Sequence, residues 1–124
     1  MFFSRPAGMR YVDNGDVADW DFTVGDFTKD DAWHTLNLND YLPANVKLVK
    51  VRLNFVCDTA GKYIYLHECG NVNPCNDYGD DIYVADRPLD RYYTIPCKSN
   101  RLIEYLVAAG NYAYINLFIC GCWI

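Results

Sequence analysis

The sequence predicts an all-β domain, an antiparallel sandwich of about eight strands behind an N-terminal arm. Three observations carry that reading. Aromatic residues make up 16% of the 124 positions, and eleven are tyrosines, which suit a half-wet pleated surface. Apolar and polar residues alternate with period two in run after run, and no stretch sustains a helical period. Clusters of Gly, Asn, Asp and Pro punctuate the chain at intervals of about ten residues, the rhythm of short strands joined by turns.

Residues 1–18 read as an arm and residues 19–124 as the sandwich. Phe2 and Phe3 are apolar, Arg5-Pro6-Ala7-Gly8 breaks any element, and Asp13-Asn14-Gly15-Asp16 is a turn signal, leaving one short extended piece over residues 9–12. Trp20, Phe22 and Val24 alternate with Asp21 and Thr23 as a first strand of the domain, and residues 33–38 make a second. Pro43 stops anything longer than a helical turn in residues 39–43. The strongest strand covers residues 46–57, where Val49, Val51, Leu53, Phe55 and Cys57 share one face and Lys50, Arg52 and Asn54 the other.

Residues 62–69 follow, with Ile64 and Leu66 opposite Tyr63, Tyr65 and His67. Residues 70–80 read as a loop, 81–85 as a short strand, 91–96 and 101–107 as two more. In the last strand Ala113, Ile115, Leu117 and Ile119 face one way, and Tyr112, Tyr114, Asn116 and Phe118 the other. The closing Cys120-Gly121-Cys122-Trp123-Ile124 has no polar tail, so it is expected in a sheet or an interface.

Composition narrows the function. A 52% apolar share rules out disorder, and a chain of this length buries roughly two-thirds of its unfolded surface without needing a cofactor or metal. A net charge of -5 with scattered cations argues against nucleic acid. No apolar run reaches the ~20 residues that span a bilayer, and the first residues lack a basic segment followed by an apolar one, so neither membrane nor export is expected. The six cysteines, Cys57, Cys69, Cys75, Cys97, Cys120 and Cys122, then belong to a reducing compartment and are read as buried thiols. A His67/Cys69/Cys75 metal site is geometrically conceivable but its spacing is not that of a zinc motif. Asn76-Asp77-Tyr78-Gly79-Asp80-Asp81 is the best calcium-loop candidate, and a solvated turn explains it more simply.

No GxSxG, P-loop, HExxH or GxGxxG is present, nothing marks either histidine, His34 or His67, as half of a Cys-His pair, and the sequence does not place two carboxylates across a cleft, so no catalytic residue is assigned. The more telling feature is the set of rings opposite the aliphatic faces. Tyr63, Tyr65, Tyr112, Tyr114 and Phe118, with Phe2, Phe3 and Met9 of the arm, are the candidate interface residues.

The wording of several segments resembles structural proteins of tailed phages. Trp33-His34-Thr35-Leu36-Asn37-Leu38, then Tyr41-Leu42-Pro43-Ala44-Asn45-Val46-Lys47 and Val49-Lys50-Val51-Arg52-Leu53, are similar to a "W-x-x-L-D-L" strand leading to a "VPAGAKxVxLRV" strand. Gly70-Asn71-Val72-Asn73 resembles a "GN-x-N" loop, and residues 95–105 a "VPCDSNRxIEY" turn. The resemblance spans residues 33–123 and implies a jelly-roll-like sandwich in a virion protein, usually oligomeric and often trimeric. With no fibre shaft in this sequence, it points to a capsid decoration protein assembled in the host cytoplasm, whose partners are its own copies and the major capsid protein. A receptor- or carbohydrate-binding module of a tail fibre or spike is the alternative.

Overall fold

The computed structural model describes residues 8–124 and is an all-β sandwich of eight strands. These are β1 (Tyr11–Asp13), β2 (Trp33–Asn37), β3 (Leu48–Cys57), β4 (Tyr63–Glu68), β5 (Tyr78–Asp81), β6 (Leu89–Pro96), β7 (Leu102–Val107) and β8 (Tyr112–Trp123). Two antiparallel four-stranded sheets run in the orders β1-β8-β3-β6 and β2-β7-β4-β5. The strands therefore pair as β1 with β8, β2 with β7, β3 with β6 and β4 with β5, so the chain is a long ribbon folded over on itself. Among the described residues, no helix is long and apolar enough to cross a membrane.

The alternation in β3 is what fixes it at the centre of the first sheet. Val49, Val51, Leu53, Phe55 and Cys57 are fully buried, and the residues between them, Lys50, Arg52 and Asn54, stay half-exposed on the outer face. A one-residue slip would turn both sets over, so the register is strongly specified. Facing them across the core are Leu36, Ile64, Leu66, Ile103, Tyr105 and Val107 from the second sheet. Each fully buried side chain of this size contributes about 1.5–3 kcal/mol of transfer free energy. Leu38, Leu42 and Val46, from the segment between β2 and β3, close one end of the sandwich, and Arg101 donates to the carbonyls of Asn39 and Leu42 to hold that segment down.

Four local readings change. The expected strand at residues 20–24 is reduced to one bridge, Phe22 to Leu117, followed by a 3-10 turn at Val24–Asp26. Side chains replace the missing ladder: Asn14 Nδ2 donates to the Ile119 carbonyl at 2.7 Å, and Asp21 accepts from the Ile119 amide at 2.8 Å. Asp26 then accepts from the Thr23 amide and turns the chain away.

The strand expected at residues 81–85 lies earlier, at Tyr78–Asp81, because Gly79 lets the Tyr65 ring lie across it. A Cβ at Gly79 would collide with that ring and with the Ile64 carbonyl. Tyr112 was expected on the outer face of the last strand but is buried. An irregularity opposite Val56 and Cys57 shifts the phase of β8, so Tyr112 points into the core and donates to the Ala108 carbonyl at 2.8 Å. Finally, part of the expected arm belongs to the first sheet, since Tyr11, Val12 and Asp13 pair with Trp123, Cys122 and Gly121. Phe2 and Phe3 lie outside the described residues.

Candidate functional site

The outer face of the second sheet holds the most developed polar arrangement in the protein. His67 on β4 stands in register with Glu104 on β7, and Glu104 with Thr35 on β2. Antiparallel pairing thus brings the imidazole beside a carboxylate by construction. The loop after β4 then folds back through a 3-10 turn, Pro74–Asn76, and delivers Asp77 to the other side of the ring. His67 Nδ1 lies 2.7 Å from Asp77 Oδ1, and Nε2 lies 2.7 Å from Glu104 Oε1. Trp33 reaches over from β2 and stacks on the imidazole, with centroids 3.6 Å apart and planes 17° from parallel.

These contacts explain how a histidine on an outward-facing strand position is only 4% exposed. They also use up both ring nitrogens. A neutral imidazole has one N–H, so two short contacts to carboxylates require two protons shared among the three groups. His67 is therefore committed to its neighbours and is not a free base for a substrate. Asn71 continues the network, with Nδ2 2.9 Å from the Asn73 carbonyl and 3.3 Å from Asp77 Oδ1, and the Gly70 amide approaches Glu104 Oε1 at 3.4 Å.

Above this network lies an open hollow of about 460 Å³, walled by Trp33, Asn71, Val72, Asn73, Asp77 and Glu104. Asp77 Oδ1 and Glu104 Oε1 carry the hydrogen bonds; the second oxygen of each carboxylate has no partner among the described residues. This convergence is not legible in the sequence, where His67 stands out only as an outward-facing residue of its strand. Its ingredients sit in separate stretches of the chain: Trp33 in one, Gly70-Asn71-Val72-Asn73 in a second, and Glu104 in a third.

Rings and carboxylates continue along the same face. Tyr63 and Tyr65 stack with centroids 5.1 Å apart, Tyr63 donates to Asp31 at 3.1 Å, and Tyr65 donates to Asp81. The bond to Asp81, with burial behind it, pushes the Tyr65 hydroxyl up to about 12. On the neighbouring edge, Tyr93 donates to Asp80, and burial first and that carboxylate second push its hydroxyl up as well. Asp77, Asp80 and Asp81, the core of the calcium-loop candidate, are thus each bonded to a side chain. Cys69 is half-buried and Cys75 exposed, and among the described residues no group of three or more His, Cys, Asp or Glu side chains is arranged to hold a metal.

The outer face of the first sheet carries a second cluster. Arg52 on β3 lies between Tyr92 on β6 and Phe118 on β8, which are its register partners on either side. Its guanidinium sits 5.8 Å from each of those ring centroids and 5.5 Å from that of Trp20. Trp20 in turn packs on Phe118 at 5.2 Å. Asp90 accepts two hydrogen bonds from Arg52, at 2.9 and 2.6 Å, and Arg52 holds the Asp90 carboxyl below its ordinary range. Tyr92 remains 58% exposed, far more than a ring in a closed surface.

Of the residues expected at an interface, Tyr63, Tyr65, Tyr114 and Phe118 lie half-buried on outer faces, Met9 is half-buried next to β1, and Tyr112 is internal. Trp20, Arg52 and Tyr92 were not among them. Period two places Arg52 on the outer face of its strand, but only the pairing of β3 with β6 and β8 surrounds it with rings. No protein-family model matches this chain, and no curated protein matches it.

Proposed function

We propose that this protein is a non-catalytic structural component of a tailed-phage particle, a capsid decoration protein that self-associates and binds the shell. The observation that carries the reading is the Arg52 cluster. Trp20, Tyr92 and Phe118 surround one guanidinium on an outward sheet face, with Tyr92 largely in water. Aromatic rings and arginine are the side chains that interfaces favour, because they give large contact area for little lost entropy. Lys50 and Arg52 stand on this face with Asp90, a mixed-sign pattern that a second copy of the chain can complement. The successive pairing of β1 with β8 through β4 with β5 supports a jelly-roll sandwich, an architecture common in capsid proteins. The phage-like segments named above favour the same assignment.

Co-sedimentation with purified shells of the phage whose genome encodes the chain tests the proposal. Saturable pelleting with a fixed number of copies per shell is the expected result. A chain that stays in the supernatant at every concentration would overturn it.

A further inference from the structure

We infer that the hollow between Trp33 and the loop of residues 70–77 is a binding site for a neutral sugar ring. Its floor is a buried imidazole bonded on both sides. An imidazole 4% exposed is held at both nitrogens by carboxylates and stacked on an indole. Breaking even and no more is common for such buried polar groups, and a well-packed apolar residue at the same outward position stabilises a sheet as well or better. What the arrangement does achieve is orientation. Each carboxylate has one oxygen fixed on His67, which leaves the other, Asp77 Oδ2 or Glu104 Oε2, unpartnered among the described residues.

That combination selects a class of ligand. Two fixed carboxylate oxygens accept from hydroxyl donors, and such charge-assisted bonds are about twice as strong as neutral ones. Asn71 is held within the loop by bonds to Asn73, Asn76 and Asp77, and the Asn73 side-chain amide on the rim offers a donor and an acceptor, matching a hydroxyl that both donates and accepts. Trp33, Val72 and Pro74 supply apolar surface for the C–H faces of a pyranose. A volume of about 460 Å³ lies within the usual range for small-ligand sites. Acidic sugars are excluded by the two carboxylates, and a cationic amine is the competing ligand that titration distinguishes. The hollow and the Arg52 cluster lie on the outer faces of opposite sheets, so sugar binding and self-association can each fail alone.

The test is an NMR titration of the full chain with neutral glucose-, galactose- and N-acetylglucosamine-based disaccharides, and separately with n-butylamine and sialic acid. The Trp33 indole N–H is assigned by its loss in Trp33→Phe. The expected result is a saturable shift of that signal by at least one neutral disaccharide, with a Kd on the order of 1 mM. Trp33→Ala should abolish binding, read then on the Asn71 side-chain amide, and Glu104→Gln should weaken it about tenfold. Both variants are first checked for an unchanged strand spectrum, and Tyr92→Ser, on the other sheet, should bind as the parent does. No shift with any neutral disaccharide, a shift that survives Trp33→Ala, or a preference for butylamine or sialic acid would overturn the inference.

Discussion

Individual side chains in this protein are placed by what their strands' neighbours require. The cysteines divide on that basis. Cys57, Cys97 and Cys122 face the core as small apolar residues, Cys69 and Cys120 are intermediate, and Cys75 is exposed in the loop below the hollow. Burial, with Glu68 adding to it, pushes the Cys97 thiol up to about 11. Since the thiolate is the reactive form, a raised value means less of it at neutral pH. Iodoacetamide at pH 8 should therefore label Cys75 first and leave Cys97 unmodified until the chain is unfolded, as read by peptide mass spectrometry. Rapid labelling of Cys97 in the folded protein would show that its side of the sandwich opens. Reading the cysteines as buried thiols thus fits three of the six well, and the exposed Cys75 departs from it because the loop of residues 70–77 turns outward to cover His67.

At the scale of elements, one glycine governs an edge. β5 consists of Tyr78, Gly79, Asp80 and Asp81, a composition that reads as a turn by any propensity argument. It is a strand because β4 supplies the partner and because Tyr65 and Tyr93 donate to Asp81 and Asp80. Gly79→Ala should force the Tyr65 ring off β5 and destabilise the protein by about 1–3 kcal/mol, the usual cost of overpacking. Hydrogen exchange should show the amides of β5 opening first, and an unchanged rate there would contradict the packing. The same element explains what could be read from the sequence. β3, β4, β7 and most of β8 are legible because their core-facing apolar residues recur at every second position. β5 is not, because its pairing depends on side chains more than ten residues away. The phase change that buries Tyr112 is equally hidden, since it arises opposite Val56 and Cys57 on another strand.

The whole molecule has two outer faces of different character. One sheet presents rings around Arg52, and the other presents rings and carboxylates around His67. The two-sheet architecture follows from composition and alternation, but neither cluster does: each is assembled from three or four separate segments that only the strand order brings together. The proposed self-association uses the Arg52 face, where Tyr92 is open to solvent. The most direct test is the mass of the purified chain in solution, measured by light scattering over a range of concentrations for the parent and for Tyr92→Ser with Arg52→Glu. The expected result is a parent species of three times the 14.3 kDa chain mass, falling to a single chain in the double variant. A parent that stays at one chain mass at every concentration would contradict it.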